Sequence, residues 1–180
     1  MKNPTHPATF SRLFQRQSLM PVATALLLSA SPLSAYCADP DLAMPELQGN
    51  TDSAVVLQVG HQNVAHITQS GSTKAAQIAQ VGAGNSASIT QLGMADQAIA
   101  AQYGAGNSST IHQTGNNDQA ATAQYGLGNQ SYVGQTASNV SAQVNELGLG
   151  NKTILLQTRP GATPVTLNVA GIGKTMLYIQ

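Results

Sequence analysis

From Ala54 onward, apolar and polar residues alternate in short runs that restart every eleven positions. In the run from Asn85 to Gln91, Ala87, Ile89 and Gln91 fall on one face and Ser86, Ser88 and Thr90 on the other. The same phase recurs in Ala65, Ile67 and Gln69 and in Ser109, Ile111 and Gln113. A period of two with Ile, Val and Thr enriched predicts strands, since successive side chains of an extended chain point to opposite faces. Gly60, Gly71, Gly82, Gly93, Gly104, Gly115, Gly126 and Gly148 punctuate the runs where a reversal needs freedom in φ. A helix would carry such glycines at about 1 kcal/mol each relative to Ala, so a helical repeat is excluded.

A glutamine recurs on an eleven-residue grid, two residues before all of these glycines but Gly148: Gln58, Gln69, Gln80, Gln91, Gln102, Gln113 and Gln124, continuing to Gln135 and, after a breach at Glu146, to Gln157. Flanking residues repeat every twenty-two positions, as in Gln80-Val81-Gly82-Ala83-Gly84-Asn85 and Gln102-Tyr103-Gly104-Ala105-Gly106-Asn107. Two strands and two tight turns per repeat make one flattened coil, pairing in parallel with the next at about 4.8 Å. The predicted fold is all-β, a cross-β parallel β-solenoid. Five coils begin near Ala54, Ala76, Ala98, Ala120 and Ala142, filling 54–163, and a degenerate sixth fills 164–180.

Stacking identical coils sets like residues over one another. Two Gln rows are expected, one from Gln58, Gln80, Gln102 and Gln124, the other from Gln69, Gln91, Gln113, Gln135 and Gln157. A third row at a turn consists of Asn63, Asn85, Asn107, Asn129 and Asn151. An amide buried alone is a defect of a few kcal/mol, whereas an amide within a ladder finds a neighbour above and below. Amides at the two ends wait for another subunit, which makes edge templating the expected mode of growth. Between the polar rows, Val56, Ile78, Ala100, Thr122 and Val144 are expected to face Ile67, Ile89, Ile111, Val133 and Leu155 across a thin dry interior. Tyr103 and Tyr125, one coil apart, are expected to stack as surface packing.

Composition narrows the picture further. The chain is 42% hydrophobic, but much of this is Ala and an N-terminal apolar segment; there is no Trp, and both Phe (Phe10, Phe14) lie near the start. Stability must come largely from backbone pairing and ordered polar rows. Residues 1–35 have the layout of a cleaved signal peptide: basic Lys2, Arg12 and Arg16, an apolar run from Leu19 to Leu28, then small residues through Ala35. Residues 36–53 read as a flexible linker. Without the signal, Lys74, Lys152, Arg159 and Lys174 remain against seven acidic residues, leaving no basic face for nucleic acid. Cys37 is the single cysteine, so no internal disulfide is available.

The motif Gln-x-Gly-x-Gly-Asn-x-Ala-x3-Gln resembles the repeat of the curlins, subunits of bacterial extracellular functional amyloid. Gln80 to Gln91 fits it fully; Gln102 to Gln113 and Gln124 to Gln135 carry Ser109 and Ser131 for Ala, and Gln58 to Gln69 carries Gln62 for the second Gly. The resemblance implies a secreted fibre subunit at the cell surface, exported through the periplasm and a dedicated outer-membrane curli pore with accessory factors, and partnered by itself and other curlin subunits. Curlins come as a major, fibre-forming subunit and a minor, nucleating one. Asn63 to Gln69 and Lys74 to Gln80 look like the minor type and Thr136 to Asn139 like the major; the minor role is favoured and the major kept as the alternative.

Three departures from the pattern carry expectations of their own. Glu146 puts a carboxylate in a Gln row, either as a pH-sensitive brake on assembly or, the favoured reading, as a hydrated group near an open end. Asp96 and Asp118, one coil apart in a turn, read as charges that discourage premature aggregation, ahead of a weak cation site. Gly171 to Gln180 realigns with Gly148 to Gln157 only after one extra residue near Arg159-Pro160-Gly161, and Val169 then replaces a Gln, which suggests a terminal coil specialised for capping or surface attachment. An enzyme would need convergent acids, bases or nucleophiles. His61, His66 and His112 are scattered over a turn and the outward strand face, so no catalytic, cofactor, metal or small-molecule site is expected. A monomeric β-solenoid adhesin or ice-binding protein is a second alternative, weakened because outward Thr68 and Thr90 give way to His112 and Gly134.

Overall fold

A computed structural model describes residues 52–180. The signal peptide, Cys37 and nearly all of the linker lie outside the described residues.

Twelve strands follow one another in this region: β1 Ser53–His61, β2 Val64–Ser72, β3 Ala75–Ala83, β4 Ser86–Met94, β5 Gln97–Ala105, β6 Ser108–Asn116, β7 Gln119–Leu127, β8 Gln130–Gln135, β9 Ser141–Leu149, β10 Lys152–Gln157, β11 Val165–Ile172 and β12 Thr175–Ile179. Odd strands form one six-stranded sheet and even strands another, each in sequence order and with every pairing parallel. Each consecutive pair of strands is therefore one coil, and six coils stack into a β-solenoid.

The register follows the sequence period. Ala76 pairs with Ala98, Gln80 with Gln102 and Tyr103 with Tyr125, all twenty-two apart. At the last coil the shift becomes twenty-three, with Val165 on Ala142 and Lys152 on Thr175. The extra residue is absorbed in the turn between β10 and β11, where Gly161 takes φ 64° and Ala162 N–H bonds the Arg159 carbonyl at 3.3 Å.

The interior is one residue thick on each side. Ile78, Ala100, Thr122 and Val144 from the odd sheet meet Ile89, Ile111, Val133 and Leu155 from the even sheet, all fully or almost fully buried. Val56 and Ile67 in the first coil and Leu167 and Tyr178 in the last are only partly covered, each packing against a single neighbouring layer among the described residues. A polar pair across the middle, Ser109 Oγ and Thr122 Oγ1, satisfies itself at 2.6 Å.

Glycine decides how far each strand runs. At Gly104, with φ 117°, a Cβ would lie 2.0 Å from the Gly126 carbonyl oxygen of the next layer, so only glycine lets the backbones stack there. Along the even sheet the equivalent row is Gly71, Gly93 and Gly115, followed by Ala137 and Arg159. β8 and β10 stop at Gln135 and Gln157, two residues before those substituted places, and are six residues long where their glycine-bearing neighbours have nine.

Candidate assembly interface

The glutamine grid points inward at the strand ends and closes the thin core. Gln80, Gln91, Gln102, Gln113, Gln124, Gln135 and Gln157 are fully buried, Gln69 nearly so, and Gln58 in the first coil is partly covered. Each Nε2 donates to the Oε1 of the grid residue one coil on, at 2.6 to 2.9 Å, in the two series Gln58, Gln80, Gln102, Gln124 and Gln69, Gln91, Gln113, Gln135, Gln157. From Gln69 onward each Nε2 also donates to a main-chain carbonyl sixteen residues earlier, as Gln102 does to Ser86 at 2.9 Å and Gln113 to Gln97 at 3.0 Å. From Gln69 to Gln135 each glutamine thus ties a layer to the next and one sheet to the other. The direction never reverses: amides donate toward the C-terminal end.

Asn63, Asn85, Asn107, Asn129 and Asn151 line the turn that leads into each even strand. Every Oδ1 accepts from the next layer at about the same distance, for example from Asn107 N at 3.1 Å and Asn107 Nδ2 at 3.1 Å, and the last, Asn151 Oδ1, accepts from Lys174 N. The Nδ2 groups reach carbonyls of the glycine row, as Asn129 does to Gly148 at 3.0 Å and Asn107 to Gly126 at 3.0 Å. Preceding each asparagine is a residue with left-handed φ: Gln62 in the first coil, then Gly84, Gly106, Gly128 and Gly150.

The opposite turn holds a row that the sequence reading did not assemble: Asp52, Lys74, Asp96, Asp118 and Val140, also spaced by twenty-two. Its signal was present in the spacing, offset from the asparagine row by eleven. Asp52 Oδ1 accepts from Lys74 N at 2.8 Å, Asp96 Oδ1 from Asp118 N at 3.1 Å and Asp118 Oδ1 from Val140 N at 3.2 Å, the same service that the asparagine Oδ1 atoms perform. The second oxygen differs. Asp118 Oδ2 lies 2.7 Å from where a Cβ on Gly115 would be, with the Ala137 carbonyl oxygen 3.0 Å from that same point. Asn129 Nδ2 has the corresponding place beside Gly126, where it donates.

A carboxylate there has no proton to give. Asp96 Oδ2, Asp118 Oδ2 and Lys74 Nζ are buried without hydrogen-bond partners, and Lys74 Nζ stands 4.0 Å from Asp52 Oδ2. Desolvation raises the Asp96 pKa against the opposing pull of the Asp118 main-chain hydrogen bond and of Lys74. Asp118 rises from the ordinary 3.8 to about 6, chiefly through burial, with the Asp96 charge adding to it. Asp96 and Asp118, read from the sequence as turn charges that discourage premature aggregation, have no exposed surface, because this turn folds its side chains inward over the carbonyls.

Glu146 is a second correction. It was expected near an open end in contact with water, yet it has no exposed surface, since the sixth coil pairs over it and sets Val169 on top. Its Oε2 accepts from Gln124 Nε2 at 2.7 Å and its Oε1 from Thr153 Oγ1 at 2.6 Å. Burial raises its pKa, and these two hydrogen bonds hold the rise back.

The outer faces carry the remaining candidates. Tyr103 and Tyr125 stack with ring centroids 4.9 Å apart and planes within 1°. His66 and His112 point outward and bond Thr68 and Thr114 at 2.9 and 3.1 Å, while His61 ends β1 exposed; the structure does not bring them together. Among the described residues no group of three or more His, Cys, Asp or Glu side chains is gathered as metal ligands would be. What the arrangement offers chemically lies at its ends: among the described residues β1 and β2 on one side and β11 and β12 on the other are each paired with one neighbouring strand.

The family profile described as the curlin associated repeat matches residues 63–93 and 82–115. The chain therefore carries curlin repeats, and the match supports its kinship with the curlins. No curated protein and no solved structure matches it.

Proposed function

We propose that this chain is a structural subunit of an extracellular curli-type amyloid, exported through the periplasm and an outer-membrane curli pore, and that it grows by edge templating. The observation that carries the reading is the pair of hydrogen-bonded ladders that run unbroken through the early coils to half-paired edges. An open parallel edge with ordered polar rows is a template for the next strand, because each added layer satisfies main-chain and side-chain groups together. The matched curlin repeats support the same conclusion.

Of the two curlin roles, the minor, nucleating one fits better. Coils one to four keep every ladder place, while the fifth sets Glu146 in the odd-sheet row beside Gln157 and Asn151, and the sixth sets Val169 and Lys174. A uniform fibre subunit gains nothing from one deviant end, whereas a nucleator needs a good template and a distinct terminus. The test is a polymerisation assay in which a trace of the exported chain is added to a purified major curlin subunit. The lag phase disappears if the chain nucleates; an unchanged lag, with long fibres formed by this chain alone, assigns it the major role.

A further inference from the structure

Between β8 and β9 the chain spends five residues, Thr136 to Val140, where the corresponding connection between β6 and β7 spends two, Asn117 and Asp118. The longer connection lies over the shorter one. Asn139 N–H bonds the Asn116 carbonyl at 3.0 Å, Asn117 Nδ2 donates to Asn139 Oδ1 at 2.9 Å and Asn116 N–H to Ser138 Oγ at 3.0 Å, the last two in contact with water. Asp118 makes the buried tie: its Oδ1 accepts from Val140 N at 3.2 Å, with Ala137 and Val140 both closed off from solvent.

The other half of that tie is open. Asp118 Oδ2 is buried without a hydrogen-bond partner, and it and the Ala137 carbonyl oxygen lie 2.7 and 3.0 Å from the point where a Cβ on Gly115 would stand. Eleven residues on, the same construction is complete: Asn129 Nδ2 lies 3.3 Å from the matching point on Gly126 and donates to the Gly148 carbonyl at 3.0 Å. Two oxygens thus face each other where the asparagine turn has an N–H. A carboxylate there only repels the carbonyl, whereas a carboxylic acid donates to it and takes the amide's place without a change of shape.

The surrounding charges favour the acid. Along the row, Asp96 precedes Asp118, and Lys74 and Asp52 precede Asp96, with Lys74 Nζ 4.0 Å from Asp52 Oδ2. The neighbouring charge is therefore a carboxylate, which adds to burial in raising the Asp118 pKa to about 6, against the main-chain hydrogen bonds of Val140 and Asn139. Residues 136–140 bring no ionisable side chain, and Arg159 in the turn between β10 and β11 is exposed, where water and salt screen it.

We propose that Asp118 is a proton latch on the β8–β9 connection: with a proton on Oδ2 it donates to the Ala137 carbonyl and holds residues 136–140 on the stack, and on losing that proton it lets the connection open while β7 and β9 stay paired. The proton passes between Oδ2 and water, and no bond between heavier atoms changes. Opened into water, the carboxyl returns to the ordinary 3.8. A pKa raised on closing makes the latch strongest below about pH 4 and loses it as pH rises through about 6. The latch works within one chain, so it stands or falls independently of edge templating.

The test is hydrogen exchange of the folded, exported chain between pH 4 and pH 7.5, read as protection with the intrinsic pH dependence divided out. Protection of residues 136–140 is expected to fall about fiftyfold over this range, and at pH 7.5 to lie below that of β7 and β9. D118N, which carries a donating amide, is expected to keep 136–140 equally protected at both ends of the range. A level wild-type profile, the same fall in D118N, or protection at pH 7.5 equal to that of β7 and β9 overturns the latch. Should D118N not fold, infrared spectra of the folded wild-type chain labelled with carbon-13 in its aspartate carboxyls decide the question. A carboxylic-acid band that persists at pH 5 and fades through about pH 6 is expected; carboxylate bands alone at pH 5 overturn the latch.

Discussion

A buried side chain in this solenoid is judged by what lies directly above and below it. Gln102 gives both amide protons away and receives one from Gln80, so Q102A orphans a donor on Gln80 and an acceptor on Gln124 and leaves a cavity. A loss of about 3 kcal/mol or more is expected in denaturant unfolding, against about 0.5 kcal/mol or less for Q77A, whose side chain faces outward on the neighbouring strand. Asp118 shows the opposite case, a side chain of the right shape and the wrong charge. Its folded pKa stands near 6, above the ordinary 3.8, so the folded state holds the proton more tightly than the unfolded chain. Its contribution is fully present below about pH 4 and is lost as pH rises through about 6. Asp96 and Glu146 shift in the same direction, so stability is expected to fall from acid toward neutral pH. D118N supplies the amide that Asn129 has at the equivalent place; thermal melts should show it stabilising by about 1–3 kcal/mol at pH 7.5 and flattening the slope centred near pH 6. An unchanged slope in D118N would assign the pH dependence elsewhere.

At the scale of the strand and turn, glycine performs two different tasks that the repeat alone does not separate. Gly104 has the next layer's carbonyl where its Cβ would be, whereas Gly106, at φ 65°, has nothing within 4 Å and serves only the turn. G104A is expected to break the pairing of β5 with β7 and abolish the cooperative melt, while G106A costs about 1–2 kcal/mol, the penalty for an L-residue in the left-handed region. Ala95, Asn117 and Asn139 already occupy that conformation in the opposite turn, which shows that the fold tolerates side chains there. The strands, their faces and their register were legible in the sequence because period two fixes the face and period twenty-two fixes the partner. The shortening of β8 and β10 was written in the gaps of the glycine series at Ala137 and Arg159. Burial of Asp96 and Asp118 was not legible: a charged residue in a turn ordinarily faces water, and only the inward fold of this turn over the glycine carbonyls reverses that expectation. Glu146 was misread for a related reason, since the sixth coil is irregular in sequence yet pairs fully in register over it.

At the scale of the stack, the layers make the interactions local and, among the described residues, leave strands with a single neighbour only at its two ends. Such a repeat array has approximately additive stability, with each layer supported by its immediate neighbours. Its assembly behaviour is then set by the first and last coils, which is why the plain chemistry of β1 and β2 and the altered chemistry of β11 and β12 carry the functional reading. All of this depends on residues twenty-two apart lying one layer apart. The most direct test is the distance between spin labels on cysteines introduced at His66 and Ile154, in a chain with Cys37 replaced by Ser. These positions lie in one outward row, four layers apart through Ser88, Thr110 and Tyr132. A narrow distribution centred near ~19 Å is expected from four spacings of about 4.8 Å. A broad distribution centred near ~50 Å, the reach of a flexible chain with that many residues between the labels, would contradict the stacked solenoid and everything built on it.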